Sequence, residues 1–103
     1  MEYQVIWSPN AIKCLHNIGL DIIRLDCVMN ANKLVNKIKI RAGRLTTFPQ
    51  MGRRVPEFKD DVLYEVYVAK KRIIYEIIKR DVNLVAIVDG RMELHTLDAD
   101  LIW

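Results

Sequence analysis

The chain has 103 residues, a length that fills one domain and leaves too little material for a second hydrophobic core. Hydrophobic residues make up 51% of it and charged residues 28%, which is typical of a soluble globular protein and excludes a long disordered tail. The apolar runs are far shorter than the roughly 20 residues that span a membrane, and no basic and apolar leader follows Met1. We therefore expect a single domain over residues 1–103, located in the cytoplasm.

The net charge of +3 is modest, but the charges are segregated along the chain. Residues 31–59 carry eight basic side chains against one acidic side chain, and residues 70–80 carry five against one. The segment after residue 80 is acidic, with five carboxylates against one arginine. If the two basic segments fold side by side, they form a positive face for phosphates or an acidic partner. The alternative is a solvated helix face with scattered surface lysines.

Cysteine and histidine do not indicate a metal or cofactor site. Cys14 and Cys27 lie among apolar neighbours without Cys-x-x-Cys spacing, which favours free thiols. His16 and His95 are too few and too far apart to predict a metal centre. We expect neither a metal ion nor another cofactor.

The N-terminal third predicts a strand followed by a helix. Tyr3, Val5 and Trp7 alternate with other side chains as in a strand, and Ser8-Pro9 is a typical helix start. Apolar residues then recur in steps of three and four, which predicts one buried helix face: Ile12, Leu15, Ile18, Ile22 and Leu25.

A second apolar stripe predicts a second helix, which ends before Phe48-Pro49 because the residue before proline is pushed out of the helical region. The stripe consists of Val28, Ala31, Leu34, Val35, Ile38, Ala42 and Leu45, and the basic side chains lie largely off it. The connection near residues 26–30 is short, so an antiparallel helical hairpin is expected.

A loop punctuated by Gly52 and Pro56 leads into three strand-like segments, over residues 62–69, 71–79 and 82–88. The connections between them are so short that only antiparallel pairing fits. The run from Val85 to Val88 is typical of a strand buried on both faces. The expected fold class is α+β, with a helical hairpin packed on a twisted, mainly antiparallel sheet of about four strands.

Arg72 shares a strand face with Ile74 and Glu76, because side chains repeat every second residue. Two interpretations are open at this stage. The guanidinium forms a structural ion pair with a carboxylate such as Glu65 or Glu57, or it points into a concave site as a fixed cation for a phosphate or an oxyanion.

Two motifs in this order resemble a known family. Phe48-Pro49-Gln50-Met51-Gly52-Arg53, followed by Arg72-Ile73-Ile74-Tyr75, is similar to the RelE/ParE superfamily of small bacterial toxins, and more closely to its ParE-like, plasmid stabilisation branch. The resemblance runs from Val5 to Arg91. It implies the helical hairpin on a sheet described above, and a cognate antitoxin that wraps the toxin and holds it inactive.

The superfamily divides by target. The resemblance to the ParE-like branch implies a toxin of a type II toxin-antitoxin system that inhibits growth by poisoning DNA gyrase. The alternative is a RelE-like endoribonuclease that cuts mRNA on the ribosome, with Arg72, Arg91 and His95 as catalytic residues. The chain departs from that pattern, because Met92 follows Arg91 and no tyrosine follows Tyr75. A diverged, non-toxic binding module is a third alternative, since Asp89 stands where the family often has a histidine.

Two binding surfaces are predicted, and neither involves a membrane. The target-binding residues are expected to converge on one side of the sheet: Arg53, Arg54, Lys70, Arg72 and Arg91. The antitoxin-binding residues are expected on the second helix: Lys33, Lys37, Arg41 and Arg44.

Overall fold

Two helices and a five-stranded sheet form the parts of the chain that the computed structural model describes, residues 2–55 and 63–90. The elements are β1 Gln4–Trp7, α1 Pro9–Leu25, α2 Val28–Gly43, a 3-10 turn at Arg44–Thr46, β2 Arg53–Arg54, β3 Tyr64–Val68, β4 Lys71–Ile78 and β5 Asp81–Asp89. The predicted α+β class is confirmed. Within the described ranges, no helix is both long and apolar enough to cross a membrane.

The strand order in the sheet is β1-β5-β4-β3-β2. The three long C-terminal strands pair antiparallel in sequence order, as their short connections predict. At one edge, β1 pairs parallel with β5, so the first strand lies beside the last of the described strands. The sheet is therefore mixed but mainly antiparallel.

The prediction of about four strands was one strand short. Arg53–Arg54 forms the second edge strand, β2, which pairs antiparallel with the start of β3. The sequence pattern predicted a loop at these residues, because a two-residue strand has no periodicity to recognise. Its register is nevertheless defined, with Arg53 opposite Glu65.

The start of α1 is fixed by its cap. Ser8 Oγ accepts a hydrogen bond from the Ala11 N–H at 3.0 Å and donates one to the Val85 carbonyl at 3.1 Å. Pro9 occupies the first turn, where its missing N–H leaves no partner unsatisfied. The cap therefore both starts the helix and attaches it to β5.

The main core lies between the helical hairpin and one face of the sheet. Ile38 of α2, Ile73 and Tyr75 of β4, and Leu84 of β5 are all fully buried there, and half-buried Trp7 packs against them. The predicted apolar stripe of α2 therefore faces the sheet at Ile38, Ala42 and Leu45, whereas Val28 at its start is 56% exposed. Burial of each such aliphatic side chain contributes roughly 1.5–3 kcal/mol to the free energy of unfolding.

The opposite face of the sheet carries a second, smaller core. Ile74 and Ala86 lie there with Val55 and Leu63, and each is almost fully buried. The strand β5 therefore contributes to both cores, as its continuous apolar run predicts. This second face also carries the charged residues that define the candidate site.

Candidate functional site

A single buried carboxylate organises the charged face of the sheet. Glu65 lies on β3 with its side chain fully buried, and each of its two oxygens binds a different arginine. The Nε of Arg53 donates to Oε1 at 2.6 Å, while Arg72 contacts Oε2 through both Nε and Nη2. A carboxylate that accepts charge-assisted bonds on both oxygens is held rigidly. We call Arg53, Glu65 and Arg72 the Glu65 cluster.

The geometry of the cluster follows from strand register. Arg53 of β2 is the direct partner of Glu65, and Ile74 of β4 is its direct partner on the other side. Arg72 lies two residues before Ile74, on the same face, and is therefore the diagonal neighbour of Glu65. Long side chains reach across such diagonals, so the pairing of the three strands is sufficient to bring the three charges together.

Arg53 is the exposed member of the cluster. About 65% of its side chain is accessible to solvent, against 4% for Arg72. Its Nη2 donates to the Tyr67 hydroxyl at 3.2 Å, and its guanidinium carbon lies 5.6 Å from the centre of the Tyr67 ring. The hydrogen bond to Glu65, and then that to Tyr67, raise the pKa of Arg53 above its ordinary value. The result is a fixed positive charge at the surface.

Arg72 is buried and paired with Glu65, which is the structural ion pair that was the first of its two interpretations. Of the two carboxylates considered for that pair, Glu65 is the partner, and Glu57 lies outside the described residues. Isolated burial of a guanidinium is very costly, so the nearby carboxylate is what makes this position tolerable. The charge of Arg72 is therefore balanced within the fold rather than presented to solvent.

A second set of contacts ties the preceding loop to the sheet. The hydroxyl of Tyr75, on β4, donates to the Pro49 carbonyl at 2.8 Å and accepts from the Gly52 N–H at 3.1 Å. Burial raises the pKa of Tyr75 above its ordinary value, although the bond from Gly52 acts in the opposite direction. The hydroxyl therefore keeps the proton that it donates to Pro49.

Gly52 is required by close approach. A methyl group on its Cα would lie 2.6 Å from the Glu65 carbonyl oxygen and closer still to the Tyr75 hydroxyl oxygen. No side chain fits at that separation. The Gly of the first motif and the Tyr of the second motif thus meet in space, and the contact lies immediately before Arg53.

The other predicted target-binding residues are dispersed. Exposed Arg54 pairs with Tyr64 and follows Arg53 in β2, so strand alternation directs it to the opposite face. Lys70 is exposed in the β3–β4 turn with a left-handed backbone, φ 66°, and its carbonyl accepts from the Gly90 N–H at 2.8 Å. Arg91 and His95 lie outside the described residues. The structure thus brings Arg53 and Arg72 together and separates Arg54 from them.

The predicted antitoxin-binding residues form a basic row along α2 and the first residue of the 3-10 turn that follows it. Lys33, Lys37 and Arg44 are exposed, and half-buried Arg41 directs Nη1 to the Met51 sulfur at 3.7 Å. Their spacing of four, four and three residues places them along one side of the helix. Two concavities between this row and the end of β3 have both basic and apolar walls, which include Ile40, Leu34, Val68 and Ala69.

A more apolar concavity lies on the other side of α2, between the two helices and the β1 edge. It consists of two adjoining pockets that share Ile12, Leu15 and Lys39. Ile12 is 55% exposed, although the sequence places it on the buried stripe of α1. The hairpin therefore leaves apolar surface exposed on the side away from the basic row.

Three contributors to the site were not proposed as site residues from sequence: Tyr67, Tyr75 and Gly52. A signal was available for Tyr67, because it lies two residues after Glu65 and hence on the same strand face. None was available for the contact of Tyr75 with Gly52, which joins residues 23 positions apart. Among the described residues, no group of three or more His, Cys, Asp and Glu side chains is placed to hold a metal ion.

A helical hairpin on a five-stranded mixed sheet is the fold of small RelE/ParE-type toxins, and solved structures of that kind superpose on this chain. A solved structure of the chromosomal ParDE toxin-antitoxin system from P. aeruginosa superposes with a TM-score of 0.74 at 15% identity. The match covers 84% of this chain and 95% of that chain. A mutant of E. coli toxin RelE in the free state has a TM-score of 0.67 at 13% identity, covering 97% of this chain and 96% of that one. For the RelBE2 toxin-antitoxin complex from Mycobacterium tuberculosis the TM-score is 0.59 at 15% identity, and the match covers 86% of this chain and 99% of that chain.

Residues 5–94 match the family described as the ParE toxin of the type II toxin-antitoxin system parDE. The chain belongs to this family of toxins. A comparison with curated protein sequences gives no significant match.

Proposed function

We propose that the chain inhibits growth by poisoning DNA gyrase, through the surface that surrounds Arg53. The observation that carries the proposal is the Glu65 cluster. It balances the buried charge of Arg72, which matches the strand arginine of RelE-like ribonucleases, and it leaves the guanidinium of Arg53 at the surface. A buried, paired arginine is poorly placed to bind a scissile phosphate, whereas an exposed one suits a docking surface.

The ribonuclease remains the second candidate because its other proposed catalytic residues, Arg91 and His95, lie outside the described residues. It requires a phosphate to displace Glu65 from Arg72. That exchange is unfavourable, since it leaves one of the two oxygens of a fully buried carboxylate without its cation. Both candidates place the action of the toxin in the cytoplasm, the location expected from the sequence.

The target is tested with the purified chain and its Arg53→Glu variant. We expect the parent to trap gyrase on supercoiled plasmid DNA, so that linear DNA accumulates after detergent treatment. Reversal of the exposed charge should abolish this activity in a protein that still folds, although the loss of one partner of buried Glu65 should lower the free energy of unfolding by about 1–3 kcal/mol. Gel electrophoresis of the plasmid measures the first effect and chemical denaturation the second.

Lys13→Glu is the matched control, because Lys13 is an exposed cation on α1, a different element of the fold. It should trap gyrase as the parent does. Cleavage of a reporter mRNA in a translation extract, with no effect on gyrase, would instead identify the ribosome as the target. Activity in neither assay would identify a non-toxic binding module, and an Arg53→Glu variant as active as the parent would exclude this surface.

We further propose that a cognate antitoxin binds along α2, with acidic side chains on the basic row and apolar side chains in the adjoining concavities. Ile40 is 62% exposed beside Lys37 and Arg41, so the row offers apolar contact and charge together. An acidic, amphipathic segment matches both features. Two of the solved structures similar to this chain are of a toxin-antitoxin system or complex, which supports a partner of this type.

The charge of the basic row predicts salt-dependent binding. Affinity for the cognate antitoxin should fall as NaCl rises, because exposed charges are screened within about 8 Å at physiological ionic strength. Lys37→Glu should weaken binding at low salt by about 1 kcal/mol, roughly fivefold, while Lys13→Glu should not. Isothermal titration calorimetry measures both. An affinity independent of salt and of Lys37 would place the interface elsewhere, for example on the apolar side of the hairpin.

A further inference from the structure

We infer that the Tyr75 hydroxyl is a positioning group for the target-binding surface, because it fixes the loop that delivers Arg53 to Glu65. The inference rests on the role proposed above for Arg53. Tyr75 is fully buried on β4, on the sheet face that packs against the helices, and the Glu65 cluster lies on the opposite face. Its influence on Arg53 must therefore pass through the backbone.

The path through the backbone is short. The Tyr75 hydroxyl holds the Pro49 carbonyl and the Gly52 N–H, which are the two ends of a four-residue turn. Arg53 is the next residue, and it begins β2. With both ends of the turn attached to one oxygen, the direction in which the chain enters β2 is determined.

Few backbone hydrogen bonds define the position of β2. It comprises two residues, and a strand this short forms few ladder hydrogen bonds of its own. The Val55 N–H extends the pairing with a bond of 2.8 Å to the Leu63 carbonyl. A slip of one residue would turn Arg53 to the other face and place Arg54 beside Glu65 instead, so the register of β2 decides which arginine the carboxylate holds.

The position of Gly52 shows how tightly the turn is held. Its Cα approaches both the Tyr75 hydroxyl and the Glu65 backbone so closely that a methyl group has no room. Gly52 thus contacts the Tyr75 hydroxyl on β4 and also the backbone of β3, the strand that carries Glu65. The Tyr75 hydroxyl and the Glu65 cluster are therefore coupled through Gly52 and its neighbour Arg53.

Tyr75→Phe removes the hydroxyl and keeps the ring. The ring stacks on Tyr64 with centroids 5.7 Å apart, so Tyr64→Phe is a matched control that removes a hydroxyl from the same ring pair. The Nε–H groups of Arg53 and Arg72 can each be followed by ¹⁵N NMR, and their exchange with solvent reports on the bonds to Glu65. In Tyr75→Phe we expect exchange at Arg53 to accelerate roughly tenfold or more, from the loss of two hydrogen bonds. Arg72 should be unchanged.

The same variant should trap gyrase less effectively than the parent, with at least a fivefold higher concentration needed for half-maximal DNA cleavage, and Tyr64→Phe should match the parent. A role in stability alone would accelerate exchange at Arg53 and Arg72 equally. That result, or unaltered exchange at Arg53 in a folded Tyr75→Phe protein, would overturn the inference. The NMR measurement does not depend on the target, so it separates failure of the inference from failure of the proposed function, which Arg53→Glu tests by itself.

Discussion

Replacing Glu65 with glutamine is expected to lower the free energy of unfolding by about 3–5 kcal/mol, because it leaves the guanidinium of Arg72 buried without a counter-charge. The Arg72 side chain is 4% exposed, so water cannot take the place of the carboxylate. The loss is a large part of the roughly 5–15 kcal/mol by which small domains are stable. Urea denaturation followed by circular dichroism measures it.

Two further variants separate charge from other effects. Asp21→Asn also removes a carboxylate, but Asp21 is exposed on α1, and the change should remain within about 0.5 kcal/mol. Glu65→Leu combined with Arg72→Met removes both buried charges and should recover most of the stability lost in Glu65→Gln. A loss below about 1 kcal/mol in Glu65→Gln would show that the pair is hydrated in solution and that Arg72 is available to a ligand.

The Glu65 cluster has different consequences for its two arginines. Arg72 is enclosed, so its charge contributes to folding by compensating Glu65. Arg53 is open to solvent and is held by the same carboxylate and by Tyr67, which reduces the conformational entropy that it would lose on binding a target. One buried acid thus stabilises the fold and preorganises the exposed cation.

Local periodicity was sufficient to predict most of the secondary structure. The alternation up to Trp7, the two apolar stripes and the short connections of the meander each arise from neighbouring residues, and the elements that they predicted are present. The cap formed by Ser8 and Pro9 was also predictable, because capping depends on the identity of residues at fixed offsets. These features need no knowledge of distant parts of the chain.

Features that depend on long-range pairing were not predictable in this way. The parallel pairing of β1 with β5 joins residues almost 80 positions apart, and no local pattern encodes it. The strand β2 exists because β3 lies beside it and Tyr75 anchors the turn before it, so its own two residues carry no signal. The sequence motif made Gly52 and Tyr75 conspicuous without indicating that they touch.

The candidate site lies between these two cases. Strand alternation placed Arg72 on one face with Ile74, and Glu65 or Glu57 was proposed as its partner. The register of β3 against β4 brings Glu65 next to Arg72. The convergence of the positive charges was harder to predict, because adjacent residues in a strand face opposite ways. Arg53 and Arg54 therefore diverge, although they are neighbours in sequence.

Gly52→Ala is expected to destabilise the protein by about 3 kcal/mol, at the upper end of the range for inserting a methyl group into packed structure. The new methyl would overlap the Tyr75 hydroxyl and also lie 2.6 Å from the Glu65 carbonyl oxygen. A flexible side chain could turn away, but the second obstacle is the backbone of β3. The chain must then move β2 away from β3, which weakens the bond between Arg53 and Glu65 as well. Thermal unfolding and the Arg53 Nε–H signal report the two effects.

Two of the other described glycines supply a graded series. At Gly43, the last residue of α2, an added methyl meets nothing within 4 Å, so Gly43→Ala should stabilise the protein by about 0.5–1 kcal/mol through helix propensity. At Gly90 the methyl would lie 2.8 Å from the Lys70 carbonyl oxygen, which predicts an intermediate loss. From the most to the least stable, the expected order is Gly43→Ala, the parent, Gly90→Ala and Gly52→Ala. If Gly52→Ala is as stable as the parent, the turn is not held against β3 and β4 in solution, and Tyr75 cannot then set the position of Arg53.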